Sequence, residues 1–170
     1  MKILAGVLAL SLAAAAVAAF PGPAAAAATR ARDVLPVEGL IAASVVAVRD
    51  QAALDAHYYL ADESALALGR KADAVLARYA GPGSGSLLLV VAYPDAGSAG
   101  RAYGRFGGDF FSDSFDPMTP RAVERLETGD WAGAARRGRF LIVVLESPDL
   151  DSCDGLLGRA EDRAAAPKTR

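Results

Sequence analysis

The chain contains a single histidine, His57, and a single cysteine, Cys153. A serine hydrolase would need His57 as its general base, yet there is no Gly-x-Ser-x-Gly turn to present a serine to it. If His57 did act as a base, Asp55, Asp62 and Glu63 would be the carboxylates closest in sequence to orient it. A zinc centre would have to combine His57, Cys153 and carboxylates without any short-range pair such as His-x-x-x-His. The pattern favours His57-Tyr58-Tyr59 as a helix-to-loop segment with a partly buried ring. Cys153 lies in Leu150-Asp151-Ser152-Cys153-Asp154-Gly155-Leu156-Leu157, with no cation nearby to activate it, and reads as a small half-buried residue on a helix.

Two other stretches carry polar groups close together. In Asp109-Phe110-Phe111-Ser112-Asp113-Ser114-Phe115-Asp116, three carboxylates could gather around Ca²⁺ through Asp109, Asp113 and Asp116. The spacing is not that of an EF-hand loop, so phenylalanines folding back onto the core is the preferred expectation. The functional alternative is an aromatic lip of Phe110, Phe111 and Phe115 that contacts a ligand or partner. Arg136, Arg137 and Arg139 surround a turn, where they either bind a carboxylate or phosphate or form a charged hairpin tip facing Glu124 or Glu127. Gly81-Pro82-Gly83-Ser84-Gly85 lacks the Gly-Lys-Ser/Thr ending of a phosphate loop and precedes a strand, so it is expected to be a hairpin loop. Trp131 reads as a ring covering the core or a sheet edge.

The elements that must position these residues follow from periodicity. Leu40–Val48, Ser86–Tyr93 and Phe140–Leu145 are continuous apolar runs rich in β-branched residues, as expected of strands buried on both faces. Asp73–Tyr79 precedes the glycine-rich loop and pairs with the next run as a hairpin. Pro94-Asp95 opens a helix through Phe106, with Ala99, Ala102, Tyr103 and Phe106 on one face and Gly107-Gly108 ending it. Val123–Thr128, Trp131–Arg137 and Phe140–Leu145 form a meander, and Ser147-Pro148-Asp149 opens a last helix with Leu150, Cys153, Leu156 and Leu157 as its apolar stripe. The expected class is α+β, a single-layer, mostly antiparallel sheet with helices packed on one face.

The N-terminal region points to export. Lys2, an apolar run from Ile3 to Phe20, and a small-residue stretch through Ala28 are ordered as in a secretory signal peptide. Pro21 and Pro23, together with the alanine content, argue against a retained membrane anchor. Ala16-Val17-Ala18 and Ala24-Ala25-Ala26 are both suitable cleavage triplets, and no cysteine stands there to accept a lipid. The expected organisation is a leader over residues 1–26, a flexible lead-in over 27–39, one domain over 40–160 and a flexible tail over 161–170. The formal charge of −2 becomes one unit more negative when Lys2 leaves, which offers no field for nucleic acid or anionic lipid. One cysteine allows no internal disulfide, so the core must hold the fold.

In order along the chain stand His57-Tyr58-Tyr59-Leu60, Ala65–Gly69, Ala77-Arg78-Tyr79-Ala80-Gly81, Val91-Ala92-Tyr93-Pro94-Asp95 and Ala102-Tyr103-Gly104. They are followed by Gly129-Asp130-Trp131-Ala132-Gly133 and Gly138–Val144. This succession, spanning Val45 to Leu157, resembles an exported bacterial family described as a domain of unknown function. An Asn-Gly-Gly-Ala-like stretch common in that family is replaced here by Leu60-Ala61-Asp62-Glu63. The resemblance implies fold and export and carries no activity. The functional expectation is a non-enzymatic envelope protein, periplasmic or secreted, that binds a protein partner or small ligand through its loops and needs no cofactor. The competing expectations are a secreted hydrolase or metal-dependent enzyme built on His57, and a Ca²⁺-stabilised interaction domain.

Overall fold

The computed structural model describes residues 29–60, 65–69, 71–83, 85–111 and 115–166. The expected leader lies outside the described residues, as do Asp62, Glu63 and Asp113. A short helix α1 (Ala31–Val34) leads into β1 (Val46–Val48) and α2 (Gln51–Asp55). The hairpin of β2 (Asp73–Tyr79) and β3 (Ser86–Ala92) follows, then α3 (Ala96–Phe110). The meander β4 (Arg121–Arg125), β5 (Trp131–Arg137) and β6 (Phe140–Ser147) leads to α4 (Leu150–Ala165). Every pairing is antiparallel, in one sheet of order β1-β2-β3-β6-β5-β4. Helix α3 carries the chain from β3 to the far edge, and the meander returns β6 to pair with β3. Among the described residues, no helix is long and apolar enough to cross a membrane.

The α+β class and the antiparallel sheet match expectation, but the helices do not share a face. Side chains alternate across a strand. Leu87, Leu89 and Val91 of β3 and Leu141, Val143 and Leu145 of β6 therefore meet Ala99, Ala102, Tyr103 and Phe106 of α3. Their neighbours Leu88, Val90, Ile142 and Val144 meet Cys153, Leu156, Leu157 and Ala160 of α4, with Ala31 and Val34 of α1. The result is three layers with the sheet in the middle, which is why β3 is buried along its whole length. Burial of apolar surface at about 25 cal/mol per Å² on both sides of the central strands is the main source of cohesion.

Several boundaries differ from the sequence expectation: the first strand of the meander is Arg121–Arg125 instead of Val123–Thr128, and its last strand runs on to Ser147. The Leu40–Val48 run yields only an isolated bridge from Leu40 to Tyr79, a 3₁₀ turn at Ala42–Ser44 and the short β1. Ser44 is the cause: its hydroxyl accepts from the Arg78 amide at 2.8 Å and donates to the Ile41 carbonyl at 2.6 Å, replacing ladder bonds with local ones. Helix α3 continues past Gly107-Gly108 to Phe110, and Gly107 is the position where the Phe115 ring packs against the helix, leaving no room for a Cβ. The domain also exceeds residues 40–160. The Ala31 amide donates to Asp73 Oδ2 at 2.8 Å, and α4 extends to Ala165, where Arg163 donates to the Asp33 carbonyl at 2.9 Å.

Candidate functional site

His57 follows α2 in a turn and is exposed. It borders a recess of about 230 Å³ with Ser44 and Arg78 over Leu76 and Leu87. Among the described residues, no carboxylate lines that recess. Arg78 is held by Glu146 at 3.1 Å, and Asp55 accepts from Gln51 Nε2 at 2.7 Å. The Ser44 hydroxyl is committed to the backbone, so the recess pairs no base with a free nucleophile. The partly buried ring expected for His57 is thus corrected: the ring stands beyond the short α2, with only Leu54 of that helix in the core.

Cys153 is fully buried against the sheet, and burial, with Asp154 beside it, pushes its thiol up to about 12. Phe110, Phe111 and Phe115 stack among themselves and on Phe106 and Tyr103, with ring centroids 4.8–6.0 Å apart, as an extension of the α3 core. Asp109 is exposed at the end of α3, and Asp116 accepts from the Met118 amide at 2.9 Å. Among the described residues, no His, Cys, Asp and Glu side chains gather in threes.

The three arginines of the meander diverge. Arg136 lies over the Tyr103 ring at 5.9 Å on the α3 face, and the next strand residue, Arg137, is exposed. Arg139 works structurally: it donates to the Tyr93 and Thr29 carbonyls, both at 2.7 Å, and covers the Phe140 ring at 5.4 Å.

A different group of cations does converge. Between the segment entering β2 and the first turns of α3 lies an open cleft of about 310 Å³. Its floor is apolar, from Ala67, Ala72, Tyr93 and Pro94, and its rim carries Lys71 on one side and Arg101 and Arg105 on the other. The two arginines are exposed and stand one turn apart on α3. The helix is aimed by Asp95, whose carboxylate accepts from the Ser98 amide at 2.7 Å and the Ser98 hydroxyl at 3.0 Å. Those two bonds, aided by Arg101, hold the Asp95 carboxyl below its ordinary pKa. Arg101 in turn donates to the Ser98 hydroxyl at 3.0 Å. Among the described residues, Lys71, Arg101 and Arg105 form no ion pair.

The opposite wall is pinned from beneath. Tyr93, at the end of β3, is 4% exposed and donates its hydroxyl to the carbonyl of fully buried Leu66. Burial pushes the Tyr93 hydroxyl far above the ordinary tyrosine range, and Arg105 pulls it partly back. The next residue, Ala67, has φ +46°, the one positive φ at a non-glycine among the described residues. Such a conformation costs about 1–3 kcal/mol and persists where its surroundings enforce it. The wall is therefore held in place, and it sets Lys71 opposite the arginines.

None of Lys71, Arg101 and Arg105 stood out in the sequence. The available signal was Ser98, Arg101 and Arg105 recurring at helical spacing on the side of α3 away from Ala99, Ala102, Tyr103 and Phe106. Compared with protein-family models, with curated proteins and with solved structures, the chain matches none of them.

Proposed function

We propose that this chain is an exported, non-catalytic binding domain whose ligand, a small organic anion, sits in the cleft between α3 and the wall that carries Ala67 and Lys71. The observation that carries this reading is the meeting of Lys71, Arg101 and Arg105 from two elements over an apolar floor, with no ion pair among the described residues. Guanidinium forks recognise carboxylate and phosphate oxygens, and an apolar floor accommodates a carbon skeleton. The non-catalytic part rests on the separation of the reactive groups. His57 lies in another recess, Ser44 serves the backbone, and Cys153 is buried with its thiol protonated. Export, to the periplasm or the medium, rests on the order of charge, apolar run and small residues over positions 1–26. Membership of the exported family it resembles is part of the same proposal.

Thermal denaturation of the purified exported protein against a panel of carboxylates and phosphates, at fixed ionic strength, tests the reading. A ligand at a hundred times its Kd stabilises the native state by about 2.7 kcal/mol. The expected result is a rise in Tm with at least one anion that disappears in the double variant Arg101→Gln, Arg105→Gln. Stabilisation that survives in the double variant, or a panel without effect, refutes the cleft as the site.

A further inference from the structure

We infer that the ligand of this cleft is an aliphatic polyanion, a free small molecule carrying two or more negative charges, such as an oligocarboxylate or an alkyl phosphate. This rests on the reading of the cleft as an anion site.

Charge count is the first support. Three cations border the cleft, and none of them is in an ion pair among the described residues; Asp95 acts on Arg101 through Ser98, and Asp109 stands one turn beyond Arg105 on α3. A monocarboxylate would leave most of that positive charge unanswered, whereas a di- or trianion answers it from within one molecule. Their placement is the second. Arg101 and Arg105 are roughly 6 Å apart along one helix face, and Lys71 stands on the facing wall. Two anionic groups a few bonds apart, or one phosphate with its several oxygens, answer cations on both walls more fully than a single carboxylate does.

Asp95 then fixes where the ligand lies. Its carboxylate already occupies the Ser98 amide at the start of α3, so the helix N-terminus is capped and locally negative. An incoming anion is kept off that end and lies along the line from Arg101 to Arg105. The floor offers an aromatic ligand no ring to stack on. Tyr93 is its one ring, and at 4% exposure it presents no face on which a base or phenyl group could stack. A volume of about 310 Å³ is at the small end for ligand sites and suits a short aliphatic skeleton. The chain's formal charge of −2 gives no long-range attraction to an anionic membrane or polymer, which favours a free ligand.

Isothermal titration of the exported protein with butyrate, succinate, citrate and glycerol 3-phosphate, at constant ionic strength, tests this. Affinity should rise by about tenfold or more from the monoanion to the trianion, roughly the effect of one added charged hydrogen-bonded contact. Arg105→Gln and, separately, Lys71→Gln should each weaken citrate about tenfold and butyrate less than threefold, while Arg105→Lys, which keeps the charge, retains most citrate affinity. Butyrate binding as tightly as citrate, with both weakened by Arg105→Gln, overturns the polyanion inference and leaves the anion cleft standing. Binding of every ligand unaffected by Arg105→Gln and Lys71→Gln overturns the cleft itself. Co-sedimentation with phosphatidylglycerol vesicles that citrate does not displace overturns the assignment to a free ligand.

Discussion

Replacing Tyr93 with phenylalanine isolates the bond that holds the wall of the cleft. The ring stays in place, so no cavity forms, and only the hydroxyl that donates to the Leu66 carbonyl is lost. Leu66 is fully buried, so its carbonyl is left without that donor, a loss of about 1–3 kcal/mol. Part is recovered if Ala67, released from its tether, relaxes from φ +46° toward an ordinary conformation. A net destabilisation of about 1.5 kcal/mol is expected, which in a domain of this size lowers Tm by about 5 °C. Urea denaturation with an unchanged m-value would confirm that the loss is one of stability. The mechanism is tested by adding Ala67→Gly. With Tyr93 in place, glycine relieves the enforced strain and stabilises. In the Tyr93→Phe background the strain has already been relieved, so the gain shrinks, giving a coupling of at least about 0.5 kcal/mol. Equal stability of Tyr93→Phe and the parent, or strictly additive effects, would refute the claim that this hydroxyl holds the wall.

The buried thiol should be silent. Cys153 is expected to react with a disulfide reagent at pH 8 only at the rate of unfolding, and rapid labelling of the native protein would contradict its placement. Its native value of about 12 stands above the unfolded value of 9.0, so the contribution is complete below pH 9 and is lost as pH rises through the native value. Stability should fall above pH 9 with a slope approaching about 1.4 kcal/mol per pH unit, and Cys153→Ala should remove that component. Arg139→Ala deletes the bonds to the Thr29 and Tyr93 carbonyls and is expected to destabilise by about 1.5–3 kcal/mol in urea titration, with faster amide exchange around residues 29–31. Expression in a bacterial host with export should give a protein whose intact mass begins at Ala19 or Ala27, without a lipid adduct; a mass that retains Met1 contradicts the leader.

The elements legible in the sequence are those whose burial pattern is unambiguous. Trp131–Arg137 is a strand at those bounds, and the β2–β3 hairpin and β6 follow from apolar runs interrupted by glycine turns. The division of helices between two faces was implicit in the same runs. A strand apolar at every position needs cover on both sides, and a single helical layer cannot supply it. What periodicity could not reveal was substitution of one hydrogen-bonding partner for another. Ser44 in the Leu40–Val48 run looks like a tolerable strand residue, and its hydroxyl instead takes the Arg78 amide and turns the chain. Likewise, Gly107-Gly108 reads as a stop signal, while Gly107 is in fact the helix position on which Phe115 rests.

The candidate site was hidden for a related reason. Rare residue types and short clusters single out His57, the Asp109–Asp116 loop and Arg136-Arg137-Gly138-Arg139. In the arginine cluster the fold separates neighbours in sequence. Successive residues of a strand project to opposite faces, so Arg136 and Arg137 cannot join. A site on a helix instead draws on positions three and four apart, and Arg101 and Arg105 are placed together by that period, with Lys71 brought opposite through the end of β3. Tyr93-Pro94-Asp95 is the junction where both requirements meet. Tyrosine secures the far wall, proline turns the chain out of the strand, and aspartate starts the helix that carries the arginines. A motif that reads as a strand ending is therefore also the foundation of the cleft. Shortening or lengthening this junction by a single residue would rotate α3 by about 100° and carry both arginines away from Lys71.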